Sequence, residues 1–346
     1  MRILVTGATG FIGSHTVRSL LDAGHRVKLL VRSEEKARRI WGDRPGALED
    51  LVVGKITSGP ATAEALRDCD GLVHTAAPVA LGFGRSAARQ AVRENLRAIR
   101  LLVEAALERG MERIVHLSST TVFDCRGLEI ADEKAPIVEG GDAYARSKAA
   151  PERRVRELQA QGAPISIVYP SAVVGPDDPG LSEGMAGLAG QLQAGVLVTS
   201  SGFQLVDVRD LAEVHLGLIE RSPAAGRYIA VSRYMPWEEF ATLLDQSAGI
   251  RLPRMRLPGR GVRAIGAAGD LLRRFVEVDP AISREATRFA TQWVEFDATG
   301  TREALGVEFR DPRETLDDAV RWLAEAGHIP AERALRWTHP GRGRGR

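Results

Sequence analysis

Residues 6–13 read Thr6-Gly7-Ala8-Thr9-Gly10-Phe11-Ile12-Gly13, with three glycines at successive intervals of three. They follow the strand-like run Ile3–Thr6 and lead into the amphipathic stretch Phe11–Ala23. Glycine permits a tight turn and a close approach of backbone to a pyrophosphate, and the first turn of a helix presents unpaired N–H groups to an anion. A strand, this turn and a helix therefore predict a dinucleotide-binding site. The alternative interpretation is an ordinary turn before a helix.

Short runs rich in leucine and β-branched residues alternate with longer amphipathic stretches over the first half of the chain, which is the pattern of βα units in a parallel sheet. The predicted strands are Ile3–Thr6, Val27–Val31, Leu51–Val53, Gly71–His74, Arg113–Leu117 and Ile165–Tyr169. The predicted helices include Phe11–Ala23, Arg85–Arg109 and Asp142–Gln161. We expect an α/β fold, a Rossmann-type doubly wound parallel sheet with a smaller, discontinuous C-terminal substrate-binding region.

The alternation stops after Pro170, where Gly175–Gly180 is rich in glycine and proline. Downstream, Gln204–Asp210, a helix over Leu211–Arg221 and a strand over Arg227–Val231 are expected to rejoin the sheet. The predicted organisation is a dinucleotide-binding domain over 1–174 and 204–231, a substrate-binding region over 175–203 and 232–330, and a flexible basic tail over 331–346.

Composition narrows the class of function. The 346 residues are 44% hydrophobic, enough for a substantial core, and 47 Lys and Arg against 45 Asp and Glu leave no basic excess for nucleic acid. Cys69 and Cys125 can form neither a disulfide scaffold nor a four-ligand zinc site, so we expect a reduced, cytoplasmic protein without a metal. No apolar run approaches the ~20 residues of a membrane span, and no signal peptide precedes the first strand.

A tyrosine and a lysine stand four residues apart in Tyr144-Ala145-Arg146-Ser147-Lys148, inside the predicted helix Asp142–Gln161. This spacing puts the phenol and the ammonium on one helix face, where the cation would favour the phenolate and lower the pKa of the tyrosine. Such a tyrosine can donate a proton to a developing alkoxide or take one from an alcohol. Two exposed residues on a solvated helix face are the alternative.

Hydroxyl side chains follow the predicted strand Arg113–Leu117 in the run Ser118-Ser119-Thr120-Thr121-Val122-Phe123. Ligands of doubly wound folds bind at the carboxyl ends of the strands. Together with the Gly-x-x-Gly-x-x-Gly turn and the Tyr-x-x-x-Lys pair, this run resembles the extended short-chain dehydrogenase/reductase family, which is NAD-dependent epimerase/dehydratase-like. The nearest subgroups are those of dihydroflavonol 4-reductase and 3β-hydroxysteroid dehydrogenase.

The resemblance implies an NAD(P)-dependent oxidoreductase acting on CH–OH groups of a small molecule. The catalytic residues it implies are Ser119, Tyr144, Lys148 and Asn95. The cofactor-binding residues are Gly7, Thr9, Gly10, Phe11, Ile12, Gly13, Ala76, Ala77, Tyr144, Lys148, Pro170 and Val173. The substrate-binding residues are Thr120, Thr121 and Phe203. An exposed helix asparagine is the alternative for Asn95, and His74 is interpreted as a core histidine.

The residue after the second predicted strand bears on the choice of cofactor. An acid there would bind the adenosine ribose and repel a 2′-phosphate, but the chain has Arg32, whose guanidinium suits a phosphate. NADP(H) is therefore preferred, and NAD(H) remains open. The alternative is a solvated arginine paired with Glu34 or Glu35. Lys55 stands where the family usually has an aspartate facing adenine.

Two contacts typical of sugar-nucleotide enzymes in the family are missing, because Phe203 replaces an arginine and Tyr169-Pro170-Ser171 lacks an asparagine. Burying a diphosphate without these donors would be costly. We therefore expect a ketone or aldehyde on a largely apolar molecule. The alternatives are a sugar-nucleotide epimerase or dehydratase with tightly bound NAD, and a non-catalytic NADP(H)-binding redox sensor. The family habit is a homodimer through the two long helices.

The run Arg251–Arg260 is dense in arginine. A solvated basic loop is the favoured interpretation, and a site for an anionic carrier or a membrane surface is the alternative.

Overall fold

The computed structural model describes residues 1–76, 85–139, 143–221, 225–272, 287, 291 and 294–338, and only the main chain of 85–88, 143–147 and 338. Its strands are β1 (Arg2–Thr6), β2 (Arg26–Val31), β3 (Leu51–Val53), β4 (Gly71–His74), β5 (Arg113–Leu117), β6 (Ile130–Ala131), β7 (Ile165–Pro170), β8 (Ala172–Val174), β9 (Val196–Val198), β10 (Gly202–Phe203), β11 (Leu205–Asp207), β12 (Arg227–Ala230), β13 (Met235–Pro236), β14 (Arg254–Arg256) and β15 (Glu295–Phe296).

The α-helices are α1 (Phe11–Asp22), α2 (Glu34–Trp41), α3 (Gly59–Ala65), α4 (Arg85–Ala98), α5 (Ala105–Glu108), α6 (Ala143–Ala160), α7 (Glu183–Ala194), α8 (Val208–Arg221), α9 (Trp237–Ala248), α10 (Gly259–Leu272), α11 (Thr299–Leu305), α12 (Pro312–Glu325) and α13 (Leu335–Thr338). Some begin at side-chain caps. Ser33 accepts a hydrogen bond from the Lys36 N–H before α2, and Asp311 accepts one from the Arg313 N–H before α12.

Seven parallel strands form the central sheet in the order β12-β7-β5-β4-β1-β2-β3. Alternate residues of each strand face opposite sides. Leu4, Leu72 and Ile114 join one buried cluster with the helix residue Leu102, whereas Val5 and its neighbours on the other strands join a second cluster on the opposite side. The predicted Rossmann-type doubly wound sheet is confirmed, and the predicted strands match the observed ones to within one residue at each end.

The predicted helix Arg85–Arg109 is observed as an unbroken helical segment from Arg85 to Glu108, but it is not α-helical throughout. A π-helical segment, Ile99–Glu104, separates α4 from α5. A π turn changes the helical repeat over a few residues only, so the apolar pattern of this stretch, which is read over a longer window, does not reveal it.

The prediction that Gln204–Asp210 rejoins the central sheet is wrong. The strand β11 pairs with β8 in a separate two-stranded parallel sheet, and only β12 rejoins the central sheet, beside β7. The chain leaves the central sheet at Pro170, where β7 ends. The strands β8 and β11 therefore pair with each other outside that sheet.

The flexible tail was predicted to begin at residue 331, but the chain is still folded there. Residues 331–338 contain a 3₁₀ turn, Ala331–Arg333, and α13. Ala334 is fully buried, and the Trp337 indole N–H donates to the Ser247 carbonyl across 2.9 Å. An aromatic anchor therefore holds this part of the tail against α9. The residues from 339 lie outside the described part of the chain.

Candidate active site

The turn after β1 contains three glycines, two of which cannot be replaced without a clash. Gly7 has φ +78°, and a Cβ placed there would lie 2.6 Å from the Thr75 hydroxyl. A Cβ on Gly13 would overlap the Gly7 carbonyl oxygen. The Gly10 N–H donates to that same oxygen across 2.8 Å, which closes the turn. The three glycines thus bring β1 and α1 as close together as backbones allow.

The N-terminus of α1 opens directly above this turn. Gly10 is the exposed N-cap residue and provides no side-chain cap. The N–H groups of Phe11, Ile12 and Gly13 lie in the first turn, where no helical carbonyl is available to them. Their free donors and the positive end of the helix dipole fit the pyrophosphate of a dinucleotide. Thr9, half-buried, lies at the tip of the turn.

Three polar residues lie side by side at the carboxyl ends of neighbouring strands. Thr6 on β1, His74 on β4 and His116 on β5 are in register. The Thr6 hydroxyl is 2.7 Å from Nδ1 of His74, and the rings of His74 and His116 stack with centroids 5.6 Å apart. His74 is a buried, hydrogen-bonded core histidine, as predicted. The Ala76 N–H also donates to the Thr6 hydroxyl, across 3.3 Å, which fixes the main chain where β4 ends.

Lys148 on α6 faces these strand ends across a small cavity. Its walls include Ala76, Asn95, His116, Ser118 and Lys148, and its volume of about 20 Å³ fits one water molecule. Burial lowers the pKa of Lys148, an effect that the charge of Glu183 partly opposes. The predicted residues Asn95, Lys148 and Ala76 therefore come together, and Asn95 is buried rather than an exposed helix residue.

The hydroxyl side chains that follow β5 fall into two groups, one buried and one near the surface. Ser119 is half-buried, and its Oγ accepts hydrogen bonds from the Thr121 hydroxyl at 3.0 Å and from the Thr121 N–H at 3.3 Å. The Thr120 hydroxyl is buried and donates to the Pro170 carbonyl across 3.3 Å. Thr120 thereby links this run to the end of β7, while Ser119 and Thr121 remain near the surface.

Three other predicted site residues, Arg32, Val173 and Phe203, do not line the cavity beside Lys148. Arg32 is exposed directly after β2, and Glu34 pairs with Arg38 rather than with it. Val173 is half-buried on β8. The Phe203 ring stacks on Trp237 with centroids 4.5 Å apart.

Two predicted site residues lie wholly or partly outside the described part of the structure. Tyr144 lies in the first turns of α6, four residues before Lys148, but its side chain lies outside the described part of the structure. Ala77 lies outside the described residues altogether.

The fold agrees with the comparisons to known proteins. Residues 3–231 match the model of the NAD dependent epimerase/dehydratase family. The chain belongs to this family. It is 28% identical over 340 residues to sterol demethylase protein B of Methylococcus capsulatus, an alignment that covers 95% of this chain and 100% of that protein.

Two further proteins are similar over almost their whole lengths. A putative dihydroflavonol 4-reductase of Synechocystis is 28% identical over 344 residues, or 95% of this chain and 96% of that protein. The crystal structure of gox2253 superposes with a TM-score of 0.80 at 28% identity, covering 95% of this chain and 99% of that one. The protein is thus an NAD(P)-dependent oxidoreductase of the extended short-chain dehydrogenase/reductase type, as the motifs predicted.

Sequence reasoning missed one residue of this family member's site. His116 lines the cavity beside Lys148, and its Nδ1 is buried without a hydrogen-bond partner among the described residues. Burial, and then the charge of Lys148, lower the pKa of His116 to about 4, so the imidazole is neutral at neutral pH. A signal was available: His74 and His116 occur near the ends of the two predicted strands that a doubly wound order brings together.

Proposed function

We propose that this family member is an NADPH-dependent reductase of a ketone or aldehyde on a largely apolar small molecule, or the corresponding alcohol dehydrogenase. One observation carries the proposal. The buried cation of Lys148 lies beside Asn95 at the carboxyl ends of β4 and β5, on the helix that also bears Tyr144. The described residues of the cavity wall include no carboxylate, and a buried ammonium in such surroundings has a strong electrostatic influence on its neighbours.

The proton would pass through Tyr144. Lys148 lies one helical turn beyond it, and a nearby cation stabilises a phenolate relative to the phenol. Tyr144 would therefore donate its proton to the oxygen of the reduced carbonyl and accept one from an alcohol in the reverse direction. Ser119, held by Thr121, would donate a hydrogen bond to the same oxygen and stabilise its developing charge.

The glycine turn and the N-terminus of α1 would hold the dinucleotide by its pyrophosphate. Lys148 and the main chain at Ala76 and Pro170 lie at the strand ends, where they would hold the nicotinamide half. When bound, the reduced nicotinamide supplies the hydride that the carbonyl carbon accepts. The protein contributes position, charge and the proton.

Arg32 supports NADPH rather than NADH. It is exposed at the end of β2, where the adenosine ribose of a dinucleotide lies in this fold, and Glu34 is occupied by Arg38. No carboxylate among the described residues pairs with Arg32, and its guanidinium would offer paired donors to a 2′-phosphate.

The apolar character of the substrate follows from Phe203 and from the relatives. Phe203 packs on Trp237 and Phe240, with ring centroids 4.5 and 4.8 Å away, so an aromatic cluster stands where sugar-nucleotide enzymes use an arginine. One relative is named for a sterol and another for dihydroflavonol, both polycyclic molecules of low charge. An aromatic cluster at this position would suit a carbonyl on such a skeleton better than a diphosphate.

The decisive experiment measures NADPH consumption with a panel of polycyclic and aliphatic ketones and aldehydes. We expect stoichiometric oxidation of NADPH, which Tyr144→Phe abolishes while NADPH affinity stays within about twofold. Lys148→Met should lose both activity and affinity, and the exposed Lys134→Met is its matched control. Protein that is purified with NAD bound and shows no net NADPH oxidation would contradict the proposal. That result would indicate a family member that recycles its cofactor, such as an epimerase or dehydratase.

A further inference from the structure

The imidazole of His116 is buried at the carboxyl end of β5 with one ring nitrogen unpaired. The residue is 7% exposed, and its Nδ1 has no hydrogen-bond partner among the described residues. The neighbouring imidazole on β4 differs, because Nδ1 of His74 is 2.7 Å from the Thr6 hydroxyl. A buried polar atom that has no protein partner is costly, and a buried water molecule commonly satisfies it.

The cavity that His116 lines has the size and the polarity for such a water. Its volume of about 20 Å³ exceeds the ~10–15 Å³ that one water molecule requires. Buried water also requires at least two polar partners, and the imidazole of His116, the amide of Asn95 and the ammonium of Lys148 all belong to the cavity wall. The apolar residues of the wall are Ala76, Ile99, Leu117 and Pro151.

Lys148 provides the hydrogen-bond donor. Its ammonium has three N–H groups and no acceptor, and burial makes each unpaired N–H costly. Among the described residues, the titratable groups that act on it from other elements are His74 on β4, His116 on β5 and Glu183 on α7. Glu183 acts through its charge and forms no ion pair with Lys148. A water molecule in the cavity would give the ammonium an acceptor.

The imidazole of His116 can complete this arrangement as an acceptor. It is neutral at neutral pH, because burial and then the charge of Lys148 lower its pKa to about 4. A neutral imidazole donates with one nitrogen and accepts with the other. A water whose oxygen already accepts from an ammonium directs its own O–H groups away from that cation, so the ring nitrogen that it meets must be the acceptor. The proton of His116 then lies on Nε2.

We propose that His116 is a positioning residue for Lys148 and acts through one water molecule in this cavity. The water accepts a hydrogen bond from the Lys148 ammonium and donates one to Nδ1 of His116. The bridge holds the ammonium at the strand ends, one helical turn from Tyr144. The inference rests on the proposed role of Lys148 in proton transfer by Tyr144, whereas the water site itself can be tested without turnover.

The first test is crystallography of the wild type and of the variants His116→Leu and His116→Asn. Leucine and asparagine have nearly the same shape, but only asparagine places an acceptor, its Oδ1, at the position of Nδ1. In the wild type we expect an ordered water within about 3.2 Å of both Nδ1 of His116 and Nζ of Lys148. His116→Asn should retain this water and His116→Leu should lose it. A wild-type structure without a water that joins the two atoms would overturn the proposal, whether or not the variants fold.

The second test is the pH profile of alcohol oxidation, in which the phenolate of Tyr144 would act as the base. Loss of the bridge weakens the hold on the ammonium and hence its effect on the phenolate. The midpoint of the profile should therefore rise by about one pH unit in His116→Leu, which corresponds to about a tenfold loss of rate below the midpoint. His116→Asn should stay within about 0.3 pH unit of the wild type. The matched control is His215→Leu, which removes a fully buried imidazole that does not line the cavity and should leave the midpoint unchanged.

Three kinetic outcomes would contradict the positioning role. An unchanged midpoint in His116→Leu would show that Lys148 does not depend on His116. Equal shifts in His116→Leu and His116→Asn would assign the effect to packing rather than to the acceptor, and an equal shift in His215→Leu would assign it to a general loosening of the fold. A wild type that turns over no carbonyl or alcohol would instead contradict the proposed function, and the crystal structures would still decide whether the water site exists.

Discussion

The phenol of Tyr169 on β7 donates a 2.5 Å hydrogen bond to the carboxylate of Glu152 on α6. Both side chains are buried, and the Arg156 guanidinium completes the group with a 2.7 Å ion pair to the same carboxylate oxygen. Burial, and then the charge of Glu152, raise the pKa of Tyr169, so its phenol stays protonated and keeps donating. This cluster fixes α6, the helix of Tyr144 and Lys148, to the strand that ends at Pro170.

Removing the Tyr169 hydroxyl is expected to destabilise the fold. Tyr169→Phe leaves the ring packed on Phe123, with centroids 4.7 Å apart, but takes a donor from a buried carboxylate whose second oxygen already lacks a partner among the described residues. We expect the free energy of unfolding in urea to fall by about 1.5–3 kcal/mol. Glu157→Gln, on the exposed face of the same helix, is the control and should cause no measurable change. Equal stability of Tyr169→Phe and wild type would show that the bond contributes nothing net.

A methyl group at Gly13 should disrupt the dinucleotide turn. Gly13→Ala forces a Cβ into the Gly7 carbonyl and must push α1 away from β1, at a cost of about 1–3 kcal/mol in unfolding free energy. Because the N–H groups of α1 move with the helix, dinucleotide affinity should fall as well. Gly187→Ala is the matched control. It lies in α7 with open space around it, so it should be neutral or stabilising by up to about 1 kcal/mol. Normal cofactor titration of Gly13→Ala would contradict this account of the turn.

Local patterns sufficed to predict the central sheet, and the candidate residues Asn95, Lys148 and Ala76 line one cavity at its strand ends. The strands are short apolar runs bounded by turns, so their limits appear in the sequence, and Tyr144 and Lys148 are near neighbours on one helix. Features that depend on contacts between distant segments could not be predicted from the sequence. Glu152 and Tyr169 meet only because α6 packs beside β7, and no spacing rule pairs them.

Two further differences between the predicted and the observed structure also arise from contacts between distant segments. The tail looked flexible because its end is repetitive and basic, but Trp337 packs against Ser247, which is 90 residues away in sequence. The arginines of 251–263 were predicted to form one solvated loop, whereas Arg254 and Arg256 pair with Asp245 and Glu238 of α9, and Arg260 and Arg263 lie on the helix α10. Charge partners and burial are decided by tertiary packing, which a single sequence reports poorly.

The cofactor preference should depend on Arg32. Arg32→Ala removes the hydrogen bonds expected with a 2′-phosphate, and charged hydrogen bonds of about 1.5–3 kcal/mol correspond to a loss of about 10- to 100-fold in NADPH affinity. NADH affinity should be unchanged, because NADH lacks that phosphate. Fluorescence titration with both cofactors measures the ratio. Arg39→Ala on α2, also exposed, is the control. A parallel loss of NADPH and NADH affinity would mean that Arg32 contacts another part of the dinucleotide.

Four buried histidines should make the fold sensitive to acid. Burial is the main cause that lowers their pKa values, to about 4 for His15 and His116 and about 3 for His74 and His215, from 6.5. As the pH falls below 6.5, the unfolded chain takes up protons that the folded chain still refuses. The stability is therefore fully present above pH 6.5 and is lost towards pH 4, by up to about 1.4 kcal/mol per pH unit for each histidine.

The variant His215→Leu isolates one of these four contributions. His215 is fully buried, its Nδ1 is 2.9 Å from the Thr16 hydroxyl, and its Nε2 has no partner among the described residues. Thr16 also donates to the Ile12 carbonyl at 3.0 Å, so the substitution leaves its hydroxyl satisfied. Urea denaturation between about pH 7.5 and about pH 5 should show no difference in slope above about pH 6.5, and below it a slope of stability against pH that is shallower than that of the wild type by up to about 1.4 kcal/mol per unit. An unchanged slope would show that His215 takes up its proton in the folded state, which contradicts its burial as the cause of the low pKa.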